Sequence, residues 1–187
     1  MKLDGKTFIF VEGKSDKYFL EKYVNFLNSQ KTCNIETNIE TCNGKDNLKM
    51  HLPTIENVIN RQKVVIIFDA DDDLNKAKAN IKKQLGDYFD KVEIFLFPNN
   101  KKVGCLEDLI EKIATKKENI DCFKKYLDCI KQKNQQIDLK NVKKSTIYAY
   151  LEAVGVKDYK RVDFNNQNYF DLSCGFLKPL KKFLENL

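Results

Sequence analysis

An α/β fold built on a mostly parallel sheet is the class this sequence predicts, and three observations predict it. Four short apolar or alternating runs lie within the first hundred residues, helical periodicities separate them, and the runs ending at Val11 and Phe68 meet acidic residues at once. Strand–helix alternation at this spacing implies parallel strands joined by crossover helices on both faces of the sheet. The expected architecture is a Rossmann-like core of about four mostly parallel strands at residues 1–100. A mainly helical extension at 101–187 should pack on the same core as a single compact unit. At 187 residues the chain is long enough to bury a core without staples.

Each element has its own signal. Thr7-Phe8-Ile9-Phe10-Val11 is the apolar run of a buried strand. Ser15 is placed to cap a helix whose stripe is Phe19, Leu20, Tyr23, Val24 and Leu27. From Cys33 to Thr41 the residues Cys33, Ile35, Thr37, Ile39 and Thr41 share one face of a half-buried edge strand. Asp46 opens a weaker helix through Leu48, Leu52, Ile55 and Ile59, which Pro53 kinks or restarts. Val64-Val65-Ile66-Ile67-Phe68 is the most hydrophobic run and reads as a central strand. Leu74, Ala77, Ile81 and Leu85 mark a helix, and Val92 to Phe97 a fourth strand ended by Pro98-Asn99-Asn100. Beyond it, helical stripes run through Leu106 to Ile113, Ile120 to Ile130, and Ile147 to Val154, the last closed by Gly155. The final stripe, Leu180, Phe183, Leu184 and Leu187, follows Pro179 in a first turn and reads as core packing.

Composition removes several function classes. Gly and Pro number 7 and 3, so no linker dominates the chain. No apolar run reaches the roughly 18 residues of a membrane span, and residues 1–14 read as a charged-flanked strand rather than a signal peptide. A soluble cytoplasmic protein is expected. The six cysteines form no CxxC pair and His51 is the only histidine, which leaves no support for a zinc site or a disulfide scaffold. The formal charge of +6 lies wholly in residues 101–187, with 18 basic against 12 acidic side chains, while residues 1–100 balance 15 against 15. A basic half suits an anionic partner such as nucleic acid; lysines spread along the whole chain read equally well as solvated surface.

The chemistry gathers at two strand ends, the edge where ligands bind in open α/β sheets. One is Val11-Glu12-Gly13-Lys14-Ser15-Asp16; the other is Phe68-Asp69-Ala70-Asp71-Asp72-Asp73. Four carboxylates within five residues repel one another unless cations compensate, and hard oxygen ligands on a rigid strand end suit Mg²⁺ or Mn²⁺. Helix capping explains one or two of these acids but not Asp69, directly after five apolar residues. Gly13-Lys14-Ser15 is not a phosphate-binding Walker A loop, because Phe8 stands where that loop requires glycine. A receiver-type phospho-acceptor would want an acidic pair after the first strand, where Glu12-Gly13 stands instead.

Together these motifs resemble the Toprim domain of topoisomerases, bacterial primases and the overcoming-lysogenization-defect (OLD) nucleases. Glu12, in Val11-Glu12-Gly13, matches the glutamate after the first strand, and Asp69 with Asp71 matches the later Asp-x-Asp. The resemblance covers residues 7–100 and extends more loosely to the C-terminus, closest to small Toprim proteins related to the OLD nucleases. It implies Asp16 as a second acid, Glu107 in Gly104-Cys105-Leu106-Glu107-Asp108 as another, and Lys144 as a late catalytic lysine. The catalytic set it implies is Glu12, Asp69, Asp71 and Lys144. One or two Mg²⁺ or Mn²⁺ ions would be held by Glu12, Asp16, Asp69, Asp71, Asp73 and Glu107, and Lys14, Lys143 and Lys144 would meet nucleic acid. The implied activity is metal-dependent hydrolysis of DNA or RNA phosphodiesters by activated water, since no tyrosine can be assigned as a topoisomerase-like nucleophile. The sequence contains no fused ATPase, so a separately encoded ATPase or helicase is the protein partner implied. Two alternatives stand beside it: a catalytically silent Toprim module that binds nucleic acid or protein, and a primase-like nucleotidyl transferase without its expected flanking segments.

Overall fold

The computed structural model describes residues 6–30, 34–134, 141–156 and 162–187. Backbone contacts divide the chain into one unit of Met1–Leu106 with Gly175–Leu187 and a second of Glu107–Cys174.

The first unit holds a four-stranded sheet, all parallel, in the order β2-β1-β3-β4. Its strands are β1 (Lys6–Val11), β2 (Glu36–Thr41), β3 (Lys63–Asp69) and β4 (Glu93–Phe97). A strand covered on both faces needs apolar residues at every position, whereas an edge strand needs them on one face. The uninterrupted runs of β1 and β3 are accordingly central, and β2, which fully buries only Ile39, is an edge. The crossovers are α1 (Lys14–Ser29), α2 (Leu52–Val58) and α3 (Leu74–Leu85). Alternation along the strands divides the core. Phe8, Phe10, Val64, Ile66 and Phe68 join Leu48, Ile55, Ile81 and Leu85 in one apolar cluster. On the opposite face Phe19 of α1 meets Phe97 edge-on at 6.4 Å. Phe95 meets Phe183 of the C-terminal helix α7 (Lys178–Glu185) at 5.1 Å. Each such side chain, fully buried, contributes about 1.5–3 kcal/mol.

One of two helix starts differs from the expectation, and the other, at Pro53, agrees with it. Helix α1 begins at Lys14, with Gly13 rather than Ser15 at the cap position, in extended conformation. Its capping group is Asp16, whose Oδ2 accepts the Gly13 amide at 2.8 Å, the reach-back half of a capping box. A side chain at position 13 would crowd that carboxylate, because a Cβ there lies 3.3 Å from Asp16 Oδ2. At Pro53 the helix restarts: a 3₁₀ segment, Leu48–His51, leads into α2 with proline in its first turn, where the missing N–H is harmless. The alternating stripe that forms β2 begins in sequence at Cys33, which lies outside the described residues.

The second unit is helical. Its helices are α4 (Leu106–Ile113), which starts at the boundary, α5 (Lys117–Lys133) and α6 (Val142–Ala153). Leu109, Ile110, Ile113, Ile120, Leu127, Ile147, Tyr150 and Leu151 are buried, as their stripes require. The segment after residue 162 is tied in by an antiparallel bridge between Ala114 and Phe170 and by the Tyr150 hydroxyl, which donates to the Tyr169 carbonyl. Gly155, with φ +81°, follows α6 as its left-handed terminator. The described cysteines, Cys42, Cys105, Cys122, Cys129 and Cys174, are free thiols. No helix among the described residues is long and apolar enough to cross a membrane.

Candidate functional site

Because all four strands point the same way, their C-terminal ends meet at one edge. Backbone bonds weave the exits together: the Cys42 amide donates to Val11 O (2.8 Å), the Gly44 amide to Glu12 O (2.9 Å), and the Ala70 amide to Phe97 O (3.1 Å). Among the described residues, three of the four non-glycine residues at positive φ, Asn43, Asp71 and Asn100, lie at these exits. Such conformations are uncommon and concentrate where a site over-determines the backbone. Asp71, at φ 49°, is held by an isolated bridge in which its carbonyl accepts the Gly104 amide at 2.7 Å.

Glu12, directly after β1, is half-buried, and its Oε1 accepts the Asp69 amide from the neighbouring strand at 2.9 Å. Burial pushes its carboxyl up to about 7; the bond from the Asp69 amide opposes this, repulsion from Asp16 and Asp71 adds to it, and Lys45 opposes it. Asp69 ends β3, and its Oδ1 accepts the Leu106 amide at 2.9 Å. The buried Cys105 thiol lies within 4.8 Å of an Asp69 carboxylate oxygen. Asp71 Oδ2 accepts from Lys45 Nζ at 2.5 Å, and that bond holds the lysine above its usual range. Glu12, Asp69, Asp71, Asp73, Lys45 and Lys76 line one cleft of about 390 Å³.

Two acids of the expected set, Asp73 and Asp16, also cap helices. Asp73 is the N-cap of α3, and its Oδ1 accepts the amides of Asn75 (2.8 Å) and Lys76 (3.1 Å). Asp16 caps α1 through Gly13. Lys14, the first residue of α1, is exposed. Glu107, Lys143 and Lys144 belong to the second unit. There Glu107 is half-buried in the first turn of α4, Lys143 Nζ pairs with Asp108 at 2.7 Å, and Lys144 is exposed on α6.

Lys45, like Lys76, is a cleft residue that sequence reasoning missed. It belongs to the exit of β2, whose neighbour in the sheet is β1, so its place beside Asp71 depends on strand order. The one local signal is Asn43-Gly44, a turn pair directly after an alternating strand, marking a second strand exit on the same edge.

Carboxylate oxygens are the ligand type of a hard divalent cation such as Mg²⁺ or Mn²⁺. Glu12, Asp69 and Asp71 present them from neighbouring strands. The ammonium already on Asp71 supplies the positive charge that the acids call for.

Fold and edge together define an open, all-parallel α/β protein with a carboxylate-lined cleft at its strand ends. The chain belongs to the family described as "Protein of unknown function (DUF3226)", whose model matches residues 6–187. No curated protein and no solved structure matches the chain.

Proposed function

We propose that this protein is a Mg²⁺- or Mn²⁺-dependent phosphodiesterase of DNA or RNA, a Toprim-like nuclease of the OLD kind acting in the cytoplasm. One observation carries the reading: the acids after β1 and β3 meet in a single cleft, with Glu12 bonded to the Asp69 amide. A bound divalent cation supplies Lewis acidity toward the phosphodiester and acidifies water. The protein's part is to hold that ion through Glu12, Asp69 and Asp71, whose positions are fixed by the sheet. The Asp69 amide orients Glu12, and the Leu106 amide orients Asp69. Lys45 and Lys76 add positive charge on the cleft wall toward a phosphate backbone. Lys14 and Lys144 are exposed, and backbone contacts are their part in this reading.

The silent binding module has one observation in its favour. The Lys45–Asp71 pair already compensates one acid, as a cleft with no cation would need.

The test is an assay of the purified protein on plasmid, linear duplex, single-stranded DNA and RNA, with Mg²⁺, Mn²⁺ or EDTA. Metal-dependent cleavage that disappears in Asp71→Asn supports the nuclease. Metal binding with no cleavage of any substrate favours the binding module.

A further inference from the structure

The segment between β2 and α2 is fastened to α3 at Lys45 and just after it. Gln84 Nε2 donates to the Lys45 carbonyl at 2.8 Å, and Gln84 Oε1 accepts the Lys49 amide at 3.2 Å. One turn earlier on the same helix, Asn80 Nδ2 donates to Asp46 Oδ1 at 2.9 Å, and the two amides bond each other at 3.2 Å. Three hydrogen bonds thus fasten the loop from which Lys45 projects, two of them to its backbone, while the Lys45 side chain is 52% exposed. A four-carbon stem on a fixed Cα lets the ammonium swing through several ångströms without any movement of the loop.

Its present partner decides what that swing does. Lys45 Nζ occupies Asp71 Oδ2, one of the oxygens a divalent ion in the cleft needs. An ammonium and a divalent cation on one carboxylate repel, so the ion displaces the lysine. The displaced ammonium still projects from the cleft wall, where Glu12 and Asp46 are the other acids acting on it and a phosphate of a bound strand would be a further anion within the swing of its stem. We infer that Lys45 couples cation binding to phosphate binding in this cleft, neutralising Asp71 before the ion arrives and turning to a substrate phosphate after it. The inference rests on the reading of the cleft as a cation and phosphodiester site. Lys45 acts here as a substrate-positioning residue, and Gln84 positions Lys45.

The experiment is Mn²⁺ titration calorimetry on the full chain, with and without a cleavage-resistant phosphorothioate DNA decamer. Wild type should bind Mn²⁺ more tightly when the decamer is present. Lys45→Met should bind Mn²⁺ alone roughly three- to fivefold tighter than wild type, the range of an exposed ion pair. In the same variant the tightening by the decamer should fall at least about threefold, and Lys45→Arg should retain it. Gln84→Ala should lower the tightening while leaving the circular dichroism unchanged, a loss that a purely structural role would not produce. Equal Mn²⁺ affinity in wild type and Lys45→Met overturns the inference, as does undiminished coupling in Lys45→Met. Both leave the cation site standing if wild type binds Mn²⁺, whereas no Mn²⁺ binding by any of these proteins sinks the site and the inference with it.

Discussion

The two edges of the sheet are made by the same four strands, yet they treat charge in opposite ways. At the N-terminal edge, Lys6 stands in register beside Glu36, and Lys63 Nζ lies 3.2 Å from Glu93 Oε1 while also donating to Asn186 O. Each cation there has an acid on the adjoining strand. At the C-terminal edge Glu12, Asp69 and Asp71 share a cleft in which Lys45 compensates Asp71 and Lys76 lies on the wall. Backbone geometry differs in the same sense, because the positive-φ residues Asn43, Asp71 and Asn100 all lie at the second edge. An edge that only has to fold can balance its charges strand against strand. The acidic edge, which also carries the positive-φ residues, is the one proposed to take a ligand from outside.

That contrast can be broken from either side, and the largest effect belongs to activity. Asp69→Asn keeps the shape of the strand end but removes a hard ligand, so metal-dependent cleavage should fall at least about a hundredfold, roughly 2.7 kcal/mol of barrier. Glu93→Gln, at the opposite edge, should cleave like wild type. Equal losses in the two variants would mean that the edges are not functionally distinct.

Of comparable size is a pH effect at Glu12. Its folded-state value is raised from 4.5 to about 7, chiefly by burial. Between those values the folded protein keeps a proton that the unfolded chain has released, so stability falls as pH rises through this window. The full loss, reached above about pH 7, is about 3 kcal/mol. Glu12→Gln can still accept the Asp69 amide and cannot ionise. Without metal, its melting temperature should match wild type near pH 4.5 and exceed it by several degrees at pH 8. A difference that stays flat across this range would contradict the burial of an ionisable Glu12.

Smaller again is the effect of removing the α3 cap. Asp73→Ala frees the amides of Asn75 and Lys76 and should destabilise the fold by about 1 kcal/mol, read by denaturant titration. Its melting response to metal should stay close to that of wild type, because Asp73 Oδ1 is spent on those two amides. The smallest expected change is Glu93→Gln, which breaks a half-exposed ion pair and should cost about 0.5 kcal/mol or less in the same titration.

Much of this was legible in the sequence wherever a single local rule governs the outcome. Uninterrupted apolar runs place β1 and β3 at the centre, and alternation places β2 at an edge. Glu12, Asp69 and Asp71 could be singled out because a polar residue directly after a buried strand has only the strand-end edge to occupy. What stayed hidden depends on distant parts of the chain. Lys45 reaches Asp71, which is 26 residues away, only because β2 lies beside β1 and α3 carries Asn80 and Gln84 to the same loop. The start of α1 was misassigned for a local reason: Ser15 is the better cap by type, but Asp16 captures the Gly13 amide and moves the boundary. Asp73, a ligand candidate by type, also caps α3 through Oδ1, a role that its place before the helix made legible.

A thermal melt with and without Mn²⁺ decides whether the acidic edge is a cation site. An ion that binds only the folded state, at a hundred times its dissociation constant, adds about 2.7 kcal/mol. In a chain of 187 residues that should raise the melting temperature by roughly 5–10 °C. Wild type and Glu93→Gln should both show this rise, while in Asp71→Asn it should shrink to less than about a third of it. Equal Mn²⁺ shifts in wild type and Asp71→Asn, or no shift in either, would contradict the account.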